Sequence, residues 1–356
     1  MSVDAARCMV MRGGTSKGLY FVASDLPSGT DDRDAFLMSV MGTPDPRQID
    51  GMGGAHPLTS KVAVVSECDH GSGDVDYLFL QLGVGEALVT DRQNCGNLLA
   101  GVGPFAVERG LVEGEGSEAS IRIHMLNTNG IAVAGFPLSN GSPRYSGDTS
   151  IAGVPGTAAR ITLDFEDIAG GTCGSLLPTG SVIDEIAGVP VTLVDNGMPA
   201  VVMRADDVGI TGYETCQVLE GDSDLRSLLE KIRLEAGPLM GLGDVSRITV
   251  PKMTMVAPPV GKGDLCTRTF IPHRCHQAIG VLGAVSVATA ALLPGSPPSE
   301  ALRLRNGSNV VVLEHPTGTF ETIVEVAPDN GGFEVRRAGV IRTARKLMDG
   351  LVFSRS

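Results

Sequence analysis

Along most of the chain, short apolar runs alternate with polar positions and are punctuated by Gly, Asn, Asp and Pro. This period of two predicts strands. Such runs cover residues 8–11, 19–22, 62–65, 75–81, 87–89, 120–137, 159–165, 191–194, 200–203, 247–256, 265–271, 309–326 and 333–342. Asn129-Gly130, inside one of them, is a hairpin signal, and Asp195-Asn196-Gly197 marks a second turn. Helical spacing predicts amphipathic helices over 31–41, stopped by Gly42 and Pro44, and over 222–236. Two segments, 98–107 and 278–293, are apolar nearly all round. A helix without a polar face has to be enclosed. Each follows a polar start that contains a cysteine, Cys95 or Cys275, and aligning the two cysteines matches apolar positions down both segments. The expected fold is therefore α+β: two pseudo-symmetric halves, each a curved mixed sheet wrapped around one central helix. The expected halves are 1–185 and 186–340, with 341–356 returning to the first. The helix starts near Cys95 and near His276 are expected to face one cleft.

Candidate chemistry gathers at the first helix start, Asp91-Arg92-Gln93-Asn94-Cys95-Gly96-Asn97. A thiol there sits at the positive end of a helix dipole, beside unpaired backbone N–H groups. Such a position lowers a thiol pKa and attracts carboxylates. The plain alternative is a small buried cysteine that packs a helix start. The polar flanks Asn94 and Asn97, with Gly96 allowing close approach, favour function. Near the N-terminus, Arg12-Gly13-Gly14-Thr15-Ser16-Lys17-Gly18 joins two strands. A turn rich in glycine, hydroxyls and cations is an anion cradle or an ordinary solvated turn, and composition does not separate the two. It is no Walker A loop, because Ser-Lys-Gly leads into a strand. Lys61 follows the flexible stretch 50–60 at the mouth of an apolar strand. A partly desolvated lysine can act as a general base, whereas a strand-end lysine more commonly reaches water.

Composition narrows the classes. At 356 residues two domains are expected, and 28 basic against 41 acidic residues give a net charge of −13 with no basic run. Nucleic acid and anionic membrane are thereby excluded as partners, and an anionic substrate needs a local cluster of cations. The seven cysteines form no C-x-x-C pair, which points to a reducing, cytoplasmic setting. The N-terminus shows no signal-peptide core, and the run 278–293 falls short of a membrane span.

Several motifs mislead. Gly101-Val102-Gly103-Pro104-Phe105-Ala106 fits a dinucleotide pattern but lies inside a predicted helix. Asn140-Gly141-Ser142 and Asn306-Gly307-Ser308 fit glycosylation acceptors without a secretory context. His273, His276 and His315 lack metal-ligand spacing, and no metal is expected. Cys173 lies in a glycine-rich loop where a packed cysteine is the ordinary case. Ser60-Lys61 has no G-x-S-x-G elbow to support a nucleophile.

With these residues in view, the chain resembles the PrpF-like isomerases, which have the diaminopimelate-epimerase fold. The segments 12–18, Thr59-Ser60-Lys61-Val62-Ala63, Asn94-Cys95-Gly96-Asn97 and His315-Pro316-Thr317-Gly318 carry the resemblance across nearly the whole chain. Within the family, residues 47–61 and 94–105 are most similar to members that isomerise 4-oxalomesaconate in the degradation of gallate and protocatechuate. The resemblance implies Lys61 and Cys95 as the acid–base residues, with no cofactor and no metal. It implies a small tricarboxylate as substrate and allows a homodimer. The substrate contacts expected are Arg12, Gly14, Thr15, Ser16, Lys17, Ser60, Asn94, Gly96 and Asn97 in the first half, and Arg274, His276, Thr317 and Gly318 in the second. Cys275-His276-Gln277 departs from the second thiol site of diaminopimelate epimerases, so a symmetric two-thiol mechanism is not expected. The alternatives are an isomerase of methylaconitate or methylitaconate and, in another class, a non-catalytic carboxylate-binding protein.

Overall fold

The computed structural model describes residues 4–92, 94–304, 309–329 and 331–355. Gln93 and the Asn306-Gly307-Ser308 pattern lie outside the described residues. The chain divides into two compact units, residues 1–166 with 341–356, and residues 167–340. The boundary thus follows Glu166, ahead of the expected position at 185, because the segment after Glu166 is bound to the second unit: Gly170 N–H donates to Asp195 O over 2.7 Å.

The first unit begins with β1 (Ala5–Gly13), β2 (Ser16–Val22), α1 (Thr30–Met41), β3 (Lys61–Glu67), β4 (Val75–Leu82) and β5 (Val89–Thr90). It continues with α2 (Gly96–Arg109), β6 (Glu118–Met125), β7 (Gly130–Ser139), β8 (Ser142–Pro143) and β9 (Ile161–Glu166). The second unit holds β10 (Asp184–Ile186), β11 (Val189–Asp195), β12 (Pro199–Arg204), α3 (Cys216–Gly221) and α4 (Ser223–Leu239). Then come β13 (Lys252–Ala257), β14 (Leu265–Phe270), α5 (Val281–Leu292), β15 (Val310–His315), β16 (Gly318–Asp329) and β17 (Gly332–Arg342). The last strand, β18 (Ala344–Phe353), pairs antiparallel with β1 in the first unit.

In the first unit, β1 also pairs antiparallel with β2, β2 runs parallel to β3, and β3 antiparallel to β4. Alternation then gives the sheet two faces. Cys8, Val10, Leu19, Phe21, Val62, Val64, Leu80 and Leu82 pack with Phe36, Leu37, Val40 and Met41 of α1. The opposite face holds α2, which touches β1, β2, β3, β4, β6 and β7. Residues 98–106 of α2 are buried without interruption, as a helix with no polar face requires. In the second unit, Val191, Leu193, Val201, Met203, Met253 and Met255 pack with Leu225, Leu229 and Ile232 of α4. Helix α5 packs against β11, β12, β15 and β16, and residues 284–291 are buried. Its two polar residues are satisfied there: Ser286 Oγ lies 2.7 Å from Met198 O, and Asn196 Nδ2 donates to Thr289 Oγ1 over 2.8 Å.

The structure corrects four expectations. The second central helix starts at Val281 behind Gly280, not near His276. Cys275 instead forms a β-bridge with Phe270 and packs into the cluster beneath α4, so its alignment with Cys95 fails. Residues 247–251 are not strand; β13 begins at Lys252. Asn129-Gly130 is not the centre of a two-residue turn: Asn129 closes the turn at φ +55° and Gly130 already belongs to β7.

Candidate active site

Helix α2 starts where the hairpin β1–β2 presses against it. A Cβ on Gly13 would stand 2.4 Å from Asn97 O, and one on Gly14, at φ +50°, 2.2 Å from Asn97 Oδ1. Only glycine admits that approach. The turn itself is just Gly14-Thr15, since Arg12, Ser16 and Lys17 are strand residues. Asn97 binds the turn with both ends of its amide. Its Nδ2 donates to Thr15 Oγ1 over 3.1 Å and its Oδ1 accepts from Thr15 N over 3.4 Å.

Cys95 is the N-cap of α2 and is only 8% exposed. No side chain caps the helix, so the amides of its first turn remain available. Asn94 orients the cap: its Oδ1 accepts from Cys95 N over 2.8 Å, while its Nδ2 meets Met125 Sδ. Gly96, half-buried, opens the helix. Tyr20, buried, donates to Leu98 O over 2.6 Å, and Tyr77 OH lies 3.5 Å from Cys95 O. Burial, and next the neighbouring Cys95, push both phenols well above their ordinary range, so both stay protonated.

Lys61 stands on the same face of the sheet. It opens β3 directly opposite Gln81 on β4, and residues 77, 79 and 81 alternate onto one face. Lys61 Nζ donates to Gln81 Oε1 over 2.6 Å and lies 4.8 Å from the centre of the Phe79 ring. Gln81 is itself fixed, because its Nε2 reaches the carbonyls of Ser60 at 2.9 Å, Leu82 at 3.1 Å and Pro57 at 3.2 Å. Lys61 is 8% exposed, and among the described residues it has no carboxylate partner. One strand face of β4 therefore carries Tyr77 against Cys95, then Phe79 and Gln81 against Lys61. Each same-face step is about 6.5–7 Å. The sequence reading missed Tyr77 and Gln81. Both sit in a run recognised as strand, but only the β3–β4 register shows which residue faces Lys61.

Other expected contacts are placed as follows. Ser60 is fully buried, its Oγ 2.8 Å from Gln48 Oε1 and 3.0 Å from His56 O, so it supports the loop before Lys61. Arg12 Nη1 donates to Gly14 O at 2.8 Å and to Thr343 O and Oγ1 at 3.0 Å. Burial, then Arg345, lower its pKa. In the second unit Arg274 is exposed in a turn closed by Ile271 N–H donating to Arg274 O. His276 Nδ1 accepts from Ala278 N over 2.9 Å, which leaves the ring proton on Nε2. Burial, then Lys252, lower its pKa, so the ring is neutral near pH 7. Thr317 Oγ1 donates to Gln277 O over 2.7 Å and thereby holds the segment before α5, while Gly318 opens β16. Cys275 is buried, and burial, then Cys216, raise its pKa strongly, so it stays a protonated thiol; unlike Cys95 it caps no helix. Cys173 is pushed up to about 12 by burial and then by Asp195.

Among the described residues, Cys68, His70 and Asp76 bring one ligand atom each within 4.8 Å of one another. Their hydrogen bonds account for the grouping: Asp76 Oδ1 accepts from His124 at 2.8 Å and from His70 at 3.1 Å. None of them belongs to the Lys61–Cys95 face, and none of the described helices is long and apolar enough to cross a membrane.

A sheet wrapped round a buried helix, with a lysine and a helix-capping cysteine on the helix side, defines an isomerase of the epimerase-like α+β class. The family described as "PrpF protein" matches residues 4–355, and the chain belongs to it. The chain is 58% identical over 353 residues to "(4E)-oxalomesaconate Delta-isomerase" of Novosphingobium sp. (strain KA1), covering 99% of this chain and 98% of that one. It is 53% identical over 346 residues to "4-oxalomesaconate tautomerase" of Pseudomonas putida, with 97% and 95% covered. The crystal structure of "Methylitaconate-delta-isomerase" superposes with a TM-score of 0.90 at 34% identity, covering 99% of this chain and 96% of that one.

Proposed function

We propose that the protein isomerises 4-oxalomesaconate by moving a proton along its conjugated system, with Lys61 and Cys95 as the acid–base pair. The observation that carries this is the shared strand face: a buried lysine with no acid partner among the described residues and a cysteine cap are presented to the same side of one sheet. The relatives at 58% and 53% identity supply the substrate.

The methylene of this substrate lies between a keto group and a carbon–carbon double bond, so its protons are already acidic. Lys61 removes one as the general base. Negative charge then spreads over a dienolate, and the uncapped amides of the first turn of α2 are the donors proposed to stabilise it. Cys95 returns a proton at the other carbon. Phe79 beneath Lys61 Nζ and the backbone-locked Gln81 fix the position of the amine, which is what a proton transfer in a fixed geometry requires. Gly14, Thr15, Asn94, Gly96 and Asn97 around the helix start are substrate contacts on this reading. The setting is a cytoplasmic enzyme of aromatic-compound breakdown that needs no cofactor; light scattering decides whether it is a homodimer.

Isotope exchange tests the pair. In D₂O, Cys95→Ala is expected to lose turnover yet still exchange the methylene hydrogen, and Lys61→Met to lose both, by about 10²–10⁴-fold. Normal exchange in Lys61→Met with none in Cys95→Ala reverses the two roles. Normal turnover in both variants removes the pair from the chemistry. The second reading, a methylitaconate isomerase, is favoured by the 0.90 superposition. Ultraviolet assays on the two substrates separate them, since only one carries a keto group.

A further inference from the structure

Three cations stand in one row across three strands of the first unit. Lys17 on β2 is directly opposite Arg12 on β1, and Arg12 is directly opposite Arg345 on β18. Residues so paired share a face, and like charges in that arrangement repel. The chain has 41 acidic against 28 basic residues, so acids to neutralise the row are not scarce. Yet Arg12 spends its hydrogen bonds on Gly14 and Thr343, and among the described residues neither Lys17 nor Arg345 has an ion-pair partner. All three line a cavity of about 590 Å³ whose wall contains no Asp or Glu. Ser16 lines it too. It is only 2% exposed, and its Oγ is buried with no hydrogen-bond partner. An unsatisfied buried hydroxyl and an uncompensated cation row are both costly in the free protein. A bound anion with several oxygens relieves both at once.

We infer that this cavity is a carboxylate-binding site and that Arg345 is a binding residue of it, with Arg12, Lys17 and Ser16. This deepens the function proposed above and rests on it: the occupant is a carboxylate of the substrate remote from the carbon that loses its proton. The wall of the cavity and the catalytic cap are joined through Thr15, which lines the cavity and is bonded to Asn97 in the first turn of α2. Neither Lys61 nor Cys95 lines the cavity, so it serves binding and not proton transfer.

The test uses the full-length protein and two readouts. The first is calorimetric binding of propane-1,2,3-tricarboxylate, an inert tricarboxylate. The second is steady-state kinetics with 4-oxalomesaconate, with the inert compound as inhibitor. Arg345→Gln is expected to weaken tricarboxylate binding about 10- to 100-fold and to raise KM by a similar factor, with kcat within about threefold of the parent. Arg345→Lys should recover part of the loss, and inhibition should be competitive. Arg345 is exposed, so the variant should fold; should it not, Lys17→Gln gives the same reading. Unchanged tricarboxylate affinity in the variant overturns the site. Weakened affinity with unchanged KM and non-competitive inhibition overturns the substrate assignment, because the cavity then takes a free polycarboxylate. A parent enzyme that binds the tricarboxylate through Arg345 but does not turn over 4-oxalomesaconate sinks the proposed reaction and leaves the binding site standing.

Discussion

Lys61, the base proposed above, is held in place by a second residue. Its ammonium or amine meets Gln81 Oε1 at 2.6 Å, and Gln81 cannot rotate away because three backbone carbonyls hold its Nε2. Gln81→Leu keeps the strand and much of the volume but removes the acceptor and leaves those carbonyls without their donor. Expected is a fall in kcat of about 10- to 100-fold, the scale of a misplacement of roughly 1 Å, with KM little changed. Steady-state kinetics with 4-oxalomesaconate reads it, and an unchanged kcat removes Gln81 from the positioning of Lys61. Lys61 and Cys95 stand out in the chain as candidates because each follows a polar loop at the mouth of an apolar segment, and the structure places both on the helix side of the sheet. Gln81, Tyr77 and Arg345 were not legible. Each matters through the residue opposite it or across a helix start, and a single strand's pattern holds no register.

At the scale of elements, α2 was legible from its own sequence, whereas the start of α5 was not. Both segments are apolar all round, but α2 has Cys95 as a cap and a hairpin pressed on its first turn, which fixes where it begins. The run from residue 278 continues apolar before the helix, and α5 begins only at Val281, after the β-bridge at Cys275 and the Thr317 bond to Gln277 O have tied the preceding segment elsewhere. The glycines inside α2 have the same kind of cause. A Cβ on Gly101 would lie 2.5 Å from Tyr20 OH, and one on Gly103 2.7 Å from a carbon of the Phe136 ring. Glycine in a helix interior costs about 1 kcal/mol relative to alanine, yet here the close packing decides. Gly101→Ala is expected to destabilise the fold by about 1–3 kcal/mol in spite of its better helix propensity. Urea unfolding followed by circular dichroism measures it, and an equal or higher midpoint means the tyrosine has room to move.

Across the whole molecule, stability should peak at mildly acidic to neutral pH. On the acid side, Asp349 is held below the usual carboxylate range first by its hydrogen bond to Arg109, and Glu230 below its own by Arg233. Depressed carboxylates contribute stability above their unfolded pKa, and that stability is lost as the pH falls through the folded value, so it fails below about pH 4. On the alkaline side, His124 is the group to follow. It is buried between Asn129 Oδ1 and Asp76 Oδ1, each at 2.8 Å, two acceptors that call for a proton on both ring nitrogens. The bond to Asn129, opposed by burial and helped by Asp76, raises its pKa. A raised folded value means that its contribution is complete below the unfolded value, about 6.5, and is lost as the pH rises through the folded value. The net charge of −13 acts in the same direction, since protonation relieves repulsion among acidic groups. Thermal unfolding should therefore show a melting temperature that falls between pH 6 and pH 8. His124→Gln, which cannot gain a proton, should flatten that fall without moving the acid limb set by Asp349 and Glu230. If the variant keeps the full parental slope, His124 is not protonated in the folded protein and the decline belongs to the net charge alone.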